Sequence, residues 1–434
     1  MEICRSSVCL LTILFFLNVT NYVTSATLVS SDKTTKADIA SPVIYQVRDG
    51  FYSLSNSSIN RATSEHFQII WGNKDTTGSV NLEFIQGNLA NLESIRLFYI
   101  EKIGLGDIGR TQDPAITGTY KTNIYIALTG LDPSFDDWAY MGVDKDSFGF
   151  IMMMPGAMRV DPPSWVVPHE LAHAFIFHNG GVVPYAWNEA LSNFLRNEYL
   201  YSDYYSYGGT IYGPTSDFFA PYILNSEVHF PSAKNWYDSW PIFLYIYENP
   251  DYIIGLGKQA LLKIMTYRKE ETTYFKAITA VTHVSIKEIL GGMARRMVTM
   301  DFKAQKYYLQ HLDELLKIIG NREKIYTTLK NENDGWMVVP ANKAPQQAGY
   351  NIIPLTIPLN TASITVNFQG TSTDKNADWR VSIVTVTKSN NTINLHGDEK
   401  GVYLVVVATP DFIPFIDIDK DGITYPYKVQ VTTR

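Results

Sequence analysis

The hydrophobic period changes twice along this chain, and few folds are compatible with both changes. Up to about residue 154 the apolar residues fall in short runs: Phe67, Ile69 and Trp71, then residues 121–128, then 148–154 (FGFIMMM), which Pro155-Gly156 ends. These read as strands, since successive side chains of a strand point to opposite faces and short apolar runs bounded by turn residues suit a sheet. One helical stretch interrupts them at residues 79–103, where Ile85, Leu89, Leu92, Ile95 and Phe98 share a face. From Trp165 the spacing turns helical. Residues 165–178 and 185–201 are expected as two helices, separated by Asn179-Gly180-Gly181 and restarted at Pro184. Further helices are predicted at 239–248, 253–268, 273–281, 286–302 and 304–319. Pro241 fits the first turn of one, and Ser285 with Glu288 reads as a capping box for another. Period two then returns in Ile364/Val366/Phe368, in Val381/Ile383/Thr385 and in residues 402–408. The order predicts an α+β protein that ends in a β-rich domain.

The chain has 434 residues, 45% hydrophobic and 18% charged, enough for two or three units with a sizeable core. Residues 331–345, rich in Asn, Asp, Pro and Gln, mark a boundary, so one unit is expected over 27–335 and a β-sandwich-like unit over 340–434. Residues 1–26 read as a signal peptide: Arg5 precedes an apolar run from Val8 to Val19, and Thr24, Ser25 and Ala26 offer a cleavage site after Ala26. The run is short for a span of about 20 apolar residues. No later segment is longer, and KVQVTTR lacks a lipid-anchor tail, so a secreted, extracellular protein without a transmembrane anchor is expected. Both cysteines, Cys4 and Cys9, fall inside the signal, which leaves no thiol for catalysis or metal binding in the mature chain. Two glycosylation sequons, at Asn56 and Asn390, agree with the secretory route. A net charge of −7 argues against a nucleic-acid partner.

The chemistry concentrates in Pro168-His169-Glu170-Leu171-Ala172-His173. On a helix, His169 and His173 are one turn apart and project from one face, where two neutral nitrogens can hold one Zn2+ ion. Glu170, about 100° around the axis, is placed to act as general base on a water activated there. A catalytic zinc needs a third protein ligand and an open position. Glu189, in Trp187-Asn188-Glu189-Ala190-Leu191-Ser192-Asn193-Phe194, is the candidate, because a tight turn at 179–184 would lay its helix against the first. Its alternative is a first-turn acid favoured by the helix dipole. Asn193, one turn further on, is placed to hydrogen-bond a ligand histidine.

His178 is the rival ligand, but nine residues after His169 it points to nearly the opposite side of the helix. It reads instead as a helix-end histidine favoured by the C-terminal dipole. Tyr199, Tyr201, Tyr204, Tyr205, Tyr207 and Tyr212 crowd one region, suited either to stacking at a cleft rim or to packing. Asp417, Asp419, Asp421 and Gly422 resemble the start of a calcium loop, yet its twelfth position is Lys428 rather than Glu, which favours a polar turn.

The stretches VPHELAHAF and WNEALSNF resemble the gluzincins, zinc metallopeptidases with a glutamate ligand on the helix after HExxH. HFQIIWGN, NLANLESIRLFYIEKIGL and PQQAGYNIIPL extend the likeness to a family of uncharacterised secreted HExxH proteins, a domain of unknown function. The resemblance implies a zincin-like catalytic domain, a mixed sheet plus a helical subdomain, whose edge strand lines the cleft. Residues 148–154 are the candidate for that strand, with an internal core strand as the alternative. It also implies a Tyr or His that stabilises an oxyanion. His229, Tyr237, Tyr245 and Tyr247 compete for that role, with Tyr237 the candidate. The expected function is hydrolysis of peptide bonds in a peptide or protein substrate, glycosylated ones included. The alternative is a catalytically silent zinc-bearing or glycan- or protein-binding secreted protein, against which an intact Glu170 speaks, since a pure binder needs no general base.

Overall fold

The computed structural model describes residues 9–14, 43–131, 137–208, 220–267, 273–320, 322–332, 334–358, 361–387, 400–414 and 416–434. In chain order the strands and helices begin with β1 (Cys9–Leu14), β2 (Ile59–Thr63), β3 (Phe67–Gly72), α1 (Leu82–Phe98), β4 (Thr122–Ile126), β5 (Ala139–Val143) and β6 (Gly149–Met153). The helical part follows as α2 (Val166–His178), α3 (Tyr185–Leu200), α4 (Ala220–Leu224), α5 (Pro241–Glu248), α6 (Lys258–Met265), α7 (Tyr274–Thr282), α8 (Ile286–Met297) and α9 (Gln305–Ile319). The chain closes with β7 (Lys330–Asn331), β8 (Met337–Val338), β9 (Tyr350–Leu355), β10 (Ser363–Gly370), β11 (Trp379–Thr387), β12 (Lys400–Ala408) and β13 (Tyr427–Thr433). The fold is α+β with a β-rich C-terminal region.

The first sheet has the order β2-β3-β4-β6-β5, with β3, β4 and β6 parallel and an antiparallel strand at each edge. One face carries Phe67, Ile69, Ile124, Ile126, Ile151 and Met153 into the main core beneath α1 and α2. The other face buries Ile70, Tyr125, Phe150 and Met152 in a smaller cluster of their own. Phe51 closes that cluster with its ring 4.8 Å from Phe150 and 5.2 Å from Tyr125. Covering on both faces is why residues 148–154 read as one apolar run instead of an alternating one. It also corrects the expected role of that run: β6 lies inside the sheet, between β4 and β5, and the edge strand is β5.

Local chemistry explains the helix limits. The Asn81 side chain caps α1 by accepting from Phe84 N–H at 2.9 Å. The same rod continues as a wider turn over Tyr99–Ile103 and stops at Gly104, whose φ of +79° suits glycine. Tyr99, fully buried there, donates its hydroxyl hydrogen to Pro168 O at 2.7 Å and so ties the start of α2 to α1. Two expectations are corrected. The predicted helix 253–268 begins only at Lys258, because Gly255 and Gly257, at φ +101° and +123°, hold an irregular approach. Ser285 caps α8 with no side-chain hydrogen bond, so the expected capping box does not form.

The C-terminal region contains two antiparallel sheets, β1-β10-β13-β8-β7 and β11-β12-β9. Ile364, Val366, Phe368, Tyr427 and Val429 of the first meet Ile353, Trp379, Leu404 and Val406 of the second, as in a sandwich. The alternate residues Tyr350, Ile352, Tyr403, Val405 and Val407 join the main core instead, so the smaller sheet is buried on both faces. The boundary stretch contributes β7 and β8, and β8 pairs with β13. Strand β1, drawn from the apolar run read as a signal, pairs with β10. The expected cleavage point, the Asn390 sequon and Tyr212 lie outside the described residues. No described helix is long and apolar enough to cross a membrane.

Two features yield predictions. A Cβ on Gly292 of α8 would lie 1.9 Å from the Tyr245 hydroxyl of α5, which itself donates to Asp251 at 2.7 Å. Gly292→Ala is expected to lower stability by about 2 kcal/mol despite Ala's better helix propensity, because a buried tyrosine must move. A thermal melt no lower than wild type would show that the two helices are not that close. On α3, burial and the neighbouring Glu248 carboxylate push Glu198 up to about 8, against partial relief from Lys303. Between the unfolded value of 4.5 and about 8 the folded chain keeps a proton that the unfolded chain has lost. Stability therefore falls as pH rises through that window, by a few kcal/mol at about 1.4 kcal/mol per unit. Glu198→Gln should melt like wild type near pH 4.5 and well above it at pH 8.5; parallel melting curves across that range would refute the shift.

Candidate metal centre

The turn after α2 assembles the site. Gly180 takes φ +74°, Gly181 N–H bonds Ile176 O at 2.8 Å, and the Asn179 amide bridges to both Gly106 backbone groups. Pro184 then stands at the N-cap of α3, which runs back against α2. In consequence His169 and His173 of α2 face Glu189 of α3. Their donor atoms lie 3.1 Å apart between His169 Nε2 and Glu189 Oε2, 3.1 Å between the two histidine Nε2 atoms, and 3.4 Å between His173 Nε2 and Glu189 Oε2.

These three side chains form a group that could hold a metal ion. A tetrahedral ion with N and O donors at about 2.0–2.2 Å sets its donors roughly 3.3–3.6 Å apart. The observed spacings sit at or just under that range. The other face of each imidazole is occupied: His169 Nδ1 lies 2.6 Å from Asn193 Oδ1, and His173 Nδ1 lies 3.0 Å from Ser192 Oγ. With Nδ1–H donating to those oxygens, each Nε2 would offer its lone pair to an ion in place of the contact it makes with Glu189. The Asn193 amide is itself oriented, since its Nδ2 donates to Tyr237 O at 2.7 Å. The placement of Asn193 is as the sequence suggested. Ser192 was not anticipated, although it lies on Glu189's face of the helix at i+3, which is the signal that could have found it.

Electrostatics follow from burial. Glu189 is pushed up by burial, but hydrogen bonds from His169 and His173 outweigh this and bring it down to about 2, so it is an anion. Burial pushes His173 down, and Glu189 outweighs it to leave the imidazole raised. Glu170 is raised chiefly by burial, with partial relief from the two histidines. Its carboxylate meets the backbone N–H of Met141 on the edge strand β5. That strand was not expected from the sequence. AYMGV is short and half-buried, with Gly142 where a Cβ would press 2.5 Å from the Phe150 ring, so it shows no apolar run.

An open cleft of about 490 Å³ lies over the donors, with Ala139, Tyr140 and Met141 on one side and Val183, Tyr185 and Tyr237 on another. Of the four oxyanion candidates, Tyr237 alone lines this cleft. Its ring centre is 6.1 Å from that of His169, and burial together with Glu189 raises its hydroxyl pKa. His229 bonds Lys420 O, Tyr245 bonds Asp251 and Tyr247 reaches Lys102 O, all elsewhere. His178 is also elsewhere: its Nε2 accepts from Gly149 N–H at 3.2 Å, and burial pushes it down to about 4. It is therefore neutral, not the dipole-stabilised cation expected, because desolvation outweighs the helix end.

The weaker signals resolve into packing. Tyr199 stands edge-on to Phe98 and Tyr205, Tyr201 stacks on Tyr307, and none of the described tyrosines of that group lines the cleft. Asp417 caps its own turn by accepting from Asp419 N–H, and no group of donors forms around it among the described residues. The hydrogen bond to Asn193 generates a prediction: Asn193→Ala should weaken metal binding by about 10–100-fold, measured by chelator competition. An unchanged affinity would mean that His169 needs no such partner.

No curated protein and no solved structure matches the chain. Residues 31–434 match the Family of unknown function (DUF6055), a span that includes both helices of the centre, the edge strand and strands β7 to β13, and the chain belongs to that family.

Proposed function

We propose that this chain is a secreted zinc-dependent peptidase. The observation that carries the reading is the convergence of His169, His173 and Glu189 within 3.1–3.4 Å of one another, with buried Glu170 beside them in an open cleft. Two neutral imidazole nitrogens and one carboxylate oxygen are a donor set that suits zinc, with a fourth position left to the cleft. Bound there, zinc would supply Lewis acidity and make water acidic enough to give up a proton near neutral pH.

The remaining work falls to the chain's own residues. Glu170 takes the proton of a water attacking the substrate carbonyl and returns it to the departing amine nitrogen. Its burial raises its proton affinity, which suits a base that must later act as an acid. Met141 of the edge strand lines the same cleft as the carboxylate. Tyr237 lines the cleft, and in this reading its hydroxyl donates to the developing oxyanion. Strand β5 has β6 on one side only, so an extended peptide lying in the cleft has a free backbone edge to pair with. The apolar run at residues 8–19 supports the secretory part of the reading.

The test is to incubate the purified protein, and its Glu170→Gln variant, with a diverse peptide library and read cleavages by mass spectrometry. Wild type should cut, lose activity to a chelator and regain it with zinc. The variant should keep its metal but lose at least about 10³-fold in rate, the scale expected when a general base is removed. A folded, zinc-loaded wild type that cuts nothing would sink the peptidase reading and favour a metal-bearing binding protein.

A further inference from the structure

A second cavity of about 370 Å³ opens beside the cleft, and its chemistry differs from that of the first. The chain segment Val183-Pro184-Tyr185 runs between them: Val183 lines the cleft, Pro184 lines the second cavity, and Tyr185 lines both. Trp187, Phe230, Tyr274 and Phe275 form the apolar floor, the last three with ring centres 4.5, 4.9 and 4.9 Å from that of Trp187. The facing wall is Pro414, Ile416 and Ile418, supplied by the loop after β12. Trp187 lies two residues before Glu189 on the same helix, so floor and metal centre are parts of one rigid element.

The most enclosed polar groups of this cavity, on His229 and Gln347, are already used by the protein. His229 Nε2 donates to Lys420 O at 2.7 Å, and burial holds the ring below its usual pKa, so it is neutral. Gln347 Oε1 accepts from Ile423 N–H at 2.9 Å. No Asp, Glu, Lys or Arg is among the described residues of the lining. A charged ligand would find no partner there and would leave its solvation behind. An apolar group would gain from leaving water, and the volume is in the range of small-molecule sites.

We propose that this cavity is a specificity subsite of the cleft, receiving a large aliphatic or aromatic side chain of a peptide substrate, with Tyr185 as the shared wall. The inference rests on the peptidase reading. It adds that the C-terminal loop takes part in substrate choice.

Two variants on opposite walls test it: Ile416→Glu, which places a charge at the rim, and Thr273→Phe, which fills the space from the N-terminus of α7. Thr273 makes no side-chain capping bond, so its replacement should leave the fold intact. Ligand-observed NMR would compare N-acetyl-phenylalaninamide with N-acetyl-alaninamide on the full chain, and library cleavage would be profiled in parallel. Wild type should bind the phenylalanine amide at least tenfold more tightly, and each folded variant should lose that margin. The kcat/KM ratio of peptides with a large apolar residue at one fixed position to those with alanine there should fall at least tenfold. Unchanged amide binding in both folded variants, or an unchanged cleavage preference, overturns the subsite whatever the activity. A wild type that cuts nothing, yet whose amide binding both variants abolish, keeps the pocket as an apolar ligand site and removes the peptidase reading alone.

Discussion

His169 and Glu189 belong to different helices, and the 3.1 Å between their donor atoms exists only because the turn at 179–184 folds α3 back onto α2. That turn needs a residue at φ +74° and a bifunctional amide at Asn179, both of which the sequence supplies. Much else is arranged around it. Tyr99 pins the entry of α2, Asn193 reaches from α3 to His169 while holding the Tyr237 backbone, and the edge strand closes on Glu170. Helix α3 buries Ser192, Asn193, Arg196 and Asn197 along with Glu189, a polar load that no purely structural helix would favour. Ser192 and Asn193 find their partners in His173 and His169 of α2, and Arg196 Nε donates to Asn197 Oδ1.

Most of the site was legible because helical geometry carries it. The spacing of His169 and His173, the stop at Asn179-Gly180-Gly181 and the position of Glu189 one turn into the next helix each follow from 3.6 residues per turn. Long elements with an apolar face were legible for the same reason, as at α1 and α9. What was not legible depends on neighbours distant in sequence. β5 is a strand because β6 pairs with it, and Gly142 is there because Phe150 leaves no room. His178 is neutral because the surrounding protein removes water from it, a fact that no helix position encodes. β9 escaped for a similar reason, since Pro354 interrupts it and its pairing with β12 defines it, whereas β13 carries its own period-two signal in Tyr427, Val429 and Val431.

The choice among tyrosines and histidines shows the same division. Composition offers many aromatic candidates downstream of α3, and nothing in their spacing separates them. Three-dimensional placement leaves Tyr237 at the cleft and assigns His229, Tyr245 and Tyr247 to bonds with Lys420, Asp251 and Lys102. The raised proton affinity of the Tyr237 hydroxyl keeps it a donor at physiological pH.

The three-stranded sheet has one face in the sandwich and the other against the helical core, with Tyr403, Val405 and Val407 turned toward α8 and its neighbours. A chain severed near residue 340 would therefore bare apolar surface on both fragments, and neither piece would be expected to stay in solution alone. Gene fusions or truncations that treat the two halves as separable modules cut through a shared interior. Evolutionary exchange of the C-terminal half would be limited for the same reason, since any replacement must match the helical surface as well as its own second sheet.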